Sequence, residues 1–272
     1  MSDFRTALEA AGLRPRAVVP DGRWYRCATD DKPRRKNGAY LLAPGGREGV
    51  WKNYALDLGW NRWSDASVVR TDPAVHARWL REQRQRERQA RIEAMRSAQV
   101  FWEHCRPMTP LHPYLQRKGL SAQGCAGLRQ HNGHLVVPVA FRGHLISVQR
   151  IDAEGRKLFW KAAPVKAGAF ALERPRAAVT CVVEGLATGL AIFQSVRAAR
   201  VIVAFDAGNL LPALQELRPT GSVVICADND YRTAERRGVN PGRVQAQVAA
   251  DLLGCGLACP EGVLGGSSGA DW

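Results

Sequence analysis

The sequence predicts an α/β protein in several parts. A parallel sheet flanked by helices occupies the C-terminal third, preceded by a small mixed α/β lobe, a connecting helix and an N-terminal β-rich unit. Three observations predict this. From residue 179 onward, apolar runs of strand length alternate with helical patterns, as strands covered on both faces by crossover helices require. Over 135–160, apolar runs are broken by Arg142-Gly143 and Ala153-Glu154-Gly155, the signature of an antiparallel meander. Over 1–70, Trp and Tyr are scattered between Gly and Pro, as in short strands with tight turns.

The elements follow in chain order. A short helix is expected over 4–11, ending near Gly12. Trp24, Tyr25, Tyr40, Leu41, Trp51, Tyr54 and Trp63 then mark strands. The run Lys32-Pro33-Arg34-Arg35-Lys36 leads into the turn signal Asn37-Gly38. Cations interleaved with aromatics suit single-strand binding, where rings stack on bases and charges follow the backbone. A small β core with a solvated loop fits the same residues equally well. Asp72-Pro73 is a helix start, and the helix runs to about His104. Its middle, 81–89, is wholly polar, so it is expected to stand in water. Apolar spacing returns at Ile92, Met95 and Val100 to Trp102, where docking is expected.

A short helix over 110–119 closes on Gly119. Strands over 135–141, 145–151 and 157–160 place Arg150, Lys157, Lys161 and Lys166 on successive strands or turns. The last part reads as strand 179–183, helix 185–196, strand 201–205, helix 210–217, strand 222–227 and helix 241–253. The implied divisions are 1–70, 71–105, 106–178 and 179–272.

Charge divides the chain unevenly. The 272 residues carry a net charge of +14. Residues 1–100 hold 20 Lys and Arg against 12 Asp and Glu, 101–179 hold 12 against 4, and 180–272 hold 7 against 9. A basic front suits a polyanionic partner, nucleic acid before membrane. No apolar run has transmembrane length, and no basic-then-apolar leader opens the sequence, so a cytoplasmic location is expected. Seven scattered cysteines, with Cys27 standing alone, predict reduced thiols and no zinc site.

The acidic back half has its own pattern. Glu184 follows one predicted strand, Asp206 the next, and Asp228 and Asp230 the third. Ligands of such sheets bind at the carboxyl ends of strands. Residues two apart on an extended chain face the same way, so Asp228 and Asp230 can address one ion together. An oxygen-only set favours Mg2+ or Mn2+.

Val-Val-Glu184-Gly-Leu-Ala-Thr-Gly-Leu-Ala, followed by Val-Ile-Cys-Ala-Asp228-Asn-Asp230, resembles a Toprim domain. This fold is shared by bacterial-type primases, topoisomerases and some nucleases. Upstream, His112-Pro-Tyr-Leu-Gln-Arg-Lys118-Gly119, Val137-Pro-Val, Leu145 to Ile151, Gly155-Arg-Lys157 and Lys166-Ala-Gly168 are similar to the core of plasmid and phage primases. The front segment from Arg23 to Tyr40 resembles the corresponding region of primases from mobile elements. The resemblance implies a primase making short RNA primers on single-stranded DNA from ribonucleoside triphosphates. It implies Glu184, Asp228 and Asp230 as catalytic and metal acids. Arg150, Lys157 and Lys166 would be the basic residues on template or triphosphate, with Lys161, Lys118 and Arg34-Arg35-Lys36 as further nucleic-acid contacts. Asp271-Trp272 resembles the start of a terminal acidic element, which makes Asp271 a further metal candidate. It also leads to the expectation of an additional C-terminal part, with a replicative helicase as partner or continuation. A monomer is assumed.

Two alternatives stay open at this stage. The same acids could activate water in a Toprim nuclease or serve a topoisomerase, although no tyrosine sits in a cleavage context. A non-catalytic single-stranded-DNA-binding adaptor of the replisome is the third reading.

Overall fold

Helix α1 (Phe4–Ala10) starts at Asp3, whose carboxylate accepts the Thr6 N–H at 2.7 Å, satisfying a donor the helix itself leaves open. The computed structural model describes residues 3–54, 56, 59–65, 73–228 and 240–260. Asp72, Asp230, Tyr231 and Asp271 lie outside the described residues. The chain divides into two compact units, Met1–Arg81 and Glu82–Trp272. No described helix is long and apolar enough to cross a membrane.

The first unit is a five-stranded antiparallel meander in chain order: β1 (Leu13–Arg14), β2 (Tyr25–Thr29), β3 (Gly38–Leu42), β4 (Glu48–Asn53) and β5 (Asn61–Ser64). Its core gathers Phe4, Leu8, Leu13, Cys27, Tyr40 and Leu42. The Phe4 ring meets Tyr40, Trp51 and Trp63 at centroid distances of 6.5, 6.0 and 5.5 Å. Gly49 makes room for it, since a Cβ there would stand 2.2 Å from the ring. Several of the aromatics that suggest base stacking are therefore packed around Phe4.

Helix α2 (Pro73–His104) contains the division between the units. Residues 84–90 are exposed, as their polarity requires. The docking stripe is Met95, Ala98, Phe101 and Trp102, and Val100 is 55% exposed rather than docked. Helical periodicity explains the correction: steps of three and four from Met95 reach 98 and 101–102, and 100 falls between stripes.

The second unit opens with an antiparallel sheet: β6 (Arg106–Pro107), β7 (Arg129–His131), β8 (His134–Phe141), β9 (His144–Ile151) and β10 (Lys157–Phe159), in spatial order β10-β9-β8-β7-β6. Helix α3 (Pro113–Arg117) is capped by His112 and closed by Gly119 at φ +65°. The third sheet has the order β11-β13-β12-β14-β15, from β11 (Phe170–Leu172), β12 (Val179–Val183), β13 (Ala199–Val203), β14 (Ser222–Cys226) and β15 (Gly256–Ala258). Its pairs are parallel except the β11 edge, which runs antiparallel to β13.

Successive residues of the central strands face opposite layers. Cys181, Val183, Val201, Val203 and Cys226 join a core with Leu135, Val137 and Ile151 of the antiparallel sheet and with Leu190 and Phe193 of α4 (Leu186–Ser195). Val182, Ile202, Ala204 and Ile225 pack against α5 (Leu210–Leu217) and α6 (Pro241–Leu253). Strand β13 begins and ends two residues before its expected place; past its end, Phe205 adopts φ +74° and turns the chain out of extended geometry. Three-residue strands such as β7, β11 and β15 carry too few residues to show periodicity.

Candidate active site

Strands β13, β12 and β14 lie side by side in parallel, so their carboxyl ends open on one edge of the sheet. Glu184 directly follows β12, Asp206 lies three residues past β13, and Asp228 lies two residues past β14. Three acids distant in sequence thus occupy neighbouring strand ends, with Glu184 on the central strand. Glu184 and Asp228 are half-buried and Asp206 is exposed.

Helix α4 supplies the first support. Its N-cap is Gly185, which offers no side-chain acceptor. One turn on, the buried Thr188 donates its hydroxyl to Asp228 Oδ1 at 3.1 Å. The helix can lie this close only because residue 189 is glycine: a Cβ there would stand 2.9 Å from Val203 Cγ2 and 3.2 Å from Val183 Cγ2.

Beneath the acids sit two buried thiols, Cys181 and Cys226. The hydrogen bond with Cys181, burial and the nearby Asp228 charge all push Cys226 above the ordinary thiol range, so it stays protonated. Asp206 also titrates above the usual carboxylate range. The protein around its carboxyl group penalises the charge more than the Asn209 and Gly208 N–H groups favour it, although the residue as a whole borders solvent.

The cations divide between two faces. Lys157 on β10 pairs with Ile151, and Phe159 with Gln149. Cross-strand partners point the same way, and Ile151 belongs to the core shared with the parallel sheet. Phe159 agrees with this direction by meeting Phe205 at 5.9 Å. Lys157 therefore faces the acids, and a Cβ built on Gly185, next to Glu184, would come within 3.3 Å of its Nζ. Arg150 pairs instead with Val136 and Leu158. Its guanidinium lies 5.5 Å from the Trp160 ring centroid, on the face where Val136 and Val148 pack with Phe101 and Trp102 of α2. The structure thus brings Lys157 to the acids and turns Arg150 to the other side of its sheet.

Lys161 and Lys166 are exposed on the turns between β10 and β11. Each precedes an alanine in the left-handed region, Ala162 at φ +63° and Ala167 at φ +62°. The Lys166 turn is latched by the buried Asn209. Its Oδ1 accepts the Ala167 N–H at 2.7 Å, and its Nδ2 donates to Gly168 O and Ala204 O, both at 2.8 Å. Asn209 ends the 3₁₀ turn that Asp206 starts, so one side chain ties the Lys166 turn to the Asp206 strand end. Lys118 is exposed at the C-cap of α3. Arg117 lies over the β9–β10 turn, where a Cβ on Gly155 would stand 2.2 Å from its guanidinium. Arg34, Arg35 and Lys36 are exposed between β2 and β3 in the first unit.

Thr188, Asn209 and Arg117 escape sequence reasoning as functional residues. For Asn209 a signal exists, a lone amide preceding an apolar helix directly after a strand-end acid. For Thr188 the signal is its position four residues after Glu184, in the first turn of the next helix.

Carboxylates and a hydroxyl form an oxygen-only donor set of the kind Mg2+ or Mn2+ takes. No histidine occurs in 180–272, and Cys226 beside the acids is protonated and buried, so the set suits a hard cation. Among the described residues no group of three His, Cys, Asp or Glu side chains able to hold a metal comes together. Asp230, the expected third member, is outside the described residues.

No protein-family model matches the chain. A curated DNA primase TraC from Escherichia coli is 30% identical over 281 residues, covering 93% of this chain and 25% of the relative. A second DNA primase TraC from the same organism is 34% identical over 158 residues, covering 54% of this chain and 11% of the relative. The chain is thus homologous to primase-family proteins, and it spans a quarter or less of the length of these curated relatives. Among solved structures, the primase fragment of the bacteriophage T7 primase-helicase protein aligns at TM-score 0.40 and 13% identity, over 57% of this chain and 69% of that one. A chain from a structure of bacteriophage T7 lagging-strand DNA polymerase interacting with primase domains of two gp4 subunits, bound to an RNA/DNA hybrid and dTTP, aligns at TM-score 0.39 and 14% identity, over 58% of this chain and 81% of that one.

Proposed function

We propose that this chain is the catalytic part of a DNA primase with a Toprim-like site, joining ribonucleotides on a single-stranded DNA template. One observation carries the reading: Glu184 and Asp228 end adjacent parallel strands, with the Lys157 ammonium beside the Glu184–Gly185 turn. Similarity to one DNA primase TraC over 93% of the chain supports it.

Glu184, Asp228 and Asp230 would hold Mg2+ or Mn2+, which when bound acts as a Lewis acid on phosphoryl oxygens and lowers the pKa of an attacking hydroxyl. Thr188 fixes one oxygen of Asp228 by donating its hydroxyl to it. Lys157 neutralises triphosphate oxygens at the acids. Lys166, held by the Asn209 latch, and Lys161 offer charge to the polyanion along the same edge. Initiation must hold two free nucleotides together, which demands a pre-positioned surface rather than loose side chains. A replicative helicase, as partner or as a further part of the protein, completes the proposal.

The test incubates the chain with single-stranded templates of several sequences, magnesium and labelled ribonucleoside triphosphates. Labelled oligoribonucleotides from the parent protein, absent with Asp228→Ala, are expected. Template shortening without synthesis would show a nuclease instead. Neither activity, with template binding retained, would show an adaptor.

A further inference from the structure

The outward face of the N-terminal meander carries a second cluster. Strand pairing sets Tyr25, Tyr40 and Trp51 in one row, and this row faces Phe4. The neighbouring row, Arg26, Ala39 and Lys52, must face the other way. On this outer side Trp24 and Trp60 meet at 5.1 Å, and Tyr54 meets Trp60 edge-on at 6.4 Å. All three rings remain open, at 46%, 55% and 45% exposure for Trp24, Trp60 and Tyr54. Arg26 lies 4.6 Å and Lys52 5.2 Å from the Tyr54 centroid.

The basic loop is fastened to the same place. Arg26 donates to Lys36 O through Nε and Nη2, at 3.1 and 2.8 Å, and the Tyr54 N–H donates to Asn37 O at 3.0 Å. Arg34, Arg35 and Lys36 thus flank the rings. Core-forming aromatics turn inward in this unit, so rings left outside beside a set of cations call for an occupant that is flat, apolar on its faces and anionic along one edge. Unpaired nucleobases on a phosphate backbone have that chemistry. Duplex DNA does not, because its base faces are already stacked.

We propose that Trp24, Tyr54 and Trp60, with Arg26, Lys52 and the loop 32–37, form a base-stacking platform for single-stranded DNA, separate from the acidic site. The choice of DNA over RNA rests on the primase reading; the stacking itself does not.

Fluorescence anisotropy of the full chain with a labelled oligo(dT) of about 20 nucleotides, longer than a single stacking site spans, tests it. Trp60→Ala and Tyr54→Ala are each expected to weaken binding about tenfold, the effect of losing one base–ring stack. Trp60→Phe keeps a ring and should keep most of the affinity. Both rings are exposed, so thermal unfolding of the variants should match the parent and show that they fold. An abasic strand of the same length carries the same charge without bases and should bind the parent at least about tenfold more weakly than oligo(dT). Equal binding of abasic and base-bearing strands, or Trp60→Ala without effect, overturns the platform. Tighter binding of oligo(rU) than of oligo(dT) overturns the assignment to DNA. Primer synthesis is not read in this assay, so failure of the primase reading would leave the stacking result standing.

Discussion

Thr188 Oγ1 donates a 3.1 Å hydrogen bond to Asp228 Oδ1, joining the first turn of one helix to the end of a strand forty residues later. The bond restrains the orientation of the Asp228 carboxylate just past the strand end. Thr188→Val keeps the shape and removes the donor. The expected loss is about tenfold in primer synthesis, with destabilisation of about 1 kcal/mol, the usual worth of one such bond. Thr188→Ser should restore most activity. Steady-state synthesis assays beside thermal melts separate the two effects.

Gly189 sets how closely α4 approaches the sheet. A methyl there meets Val203 and Val183 at 2.9 and 3.2 Å, so Gly189→Ala must displace the helix that carries Thr188. Overpacking of this kind costs about 1–3 kcal/mol. Adding Val203→Ala makes room for the methyl, and the double variant should recover part of the loss. An additive double-mutant cycle in chemical denaturation would refute the contact.

Much of this arrangement is legible in the sequence, and the reasons for the rest are physical. Long periodic elements such as α2, β8, β9 and α6 announce themselves because many residues repeat one pattern. So do the strand-end acids, since an apolar run that stops at Glu184 or Asp228 puts a carboxylate where a buried strand meets solvent. Side-chain direction is different. Arg150 and Lys157 look equivalent along the chain, and only the pairing of β10 with β9 reveals that they point apart. Trp60 gives a weaker strand signal than Trp51 and Trp63, yet those two turn inward and Trp60 stays outside. Asn209 shows in the sequence only as a lone amide after a strand-end acid, and its latching role depends on contacts with Ala167 and Gly168, more than forty residues upstream.

Asn209 satisfies backbone groups on both the Lys166 turn and the end of β13. Asn209→Leu fills the space but strands a buried N–H and two carbonyls. Destabilisation of about 2–4 kcal/mol is expected from groups left without partners. Protease cleavage should begin in the turn at 161–168 before it touches the rest of the second unit. Cleavage starting elsewhere would show that the latch does not govern that turn.

His112 gives the protein an acid sensitivity that can be read directly. The residue is buried, and its Nδ1 accepts the Tyr114 N–H at the start of α3. Burial, outweighing a backbone contact from Gly133, holds its pKa below the ordinary 6.5. Below that ordinary value the unfolded chain takes up a proton that the folded chain refuses. Stability is therefore intact at neutral pH, declines as pH falls below about 6.5, and stops declining once the folded imidazole also protonates. His112→Asn keeps a capping acceptor without the titration. Thermal melts from about pH 7 to about pH 5 should show the parent losing more stability than the variant. Parallel loss in both would place the sensitivity elsewhere.

The sharpest separation concerns Lys157 and Arg150. Both carry one positive charge on neighbouring strands, and both match basic positions of the primase resemblance. Lys157 stands at the acids, whereas Arg150 is packed against Trp160 on the opposite face. If charge near the reacting phosphates matters, Lys157→Met should reduce primer synthesis by about 10²-fold or more, as loss of an electrostatic stabiliser does, with little change in the melt. Arg150→Met should do the reverse. It forfeits a stacked cation worth about 1 kcal/mol and lowers the melting temperature, while synthesis at low temperature falls by less than about tenfold. The contrast cannot arise from net charge, since both substitutions remove the same amount. Equal loss of synthesis in both variants, with unchanged melts, would mean that the guanidinium reaches the reacting groups from the far face. The assignment of Lys157, rather than Arg150, as the cation of that sheet serving the acids would then fail.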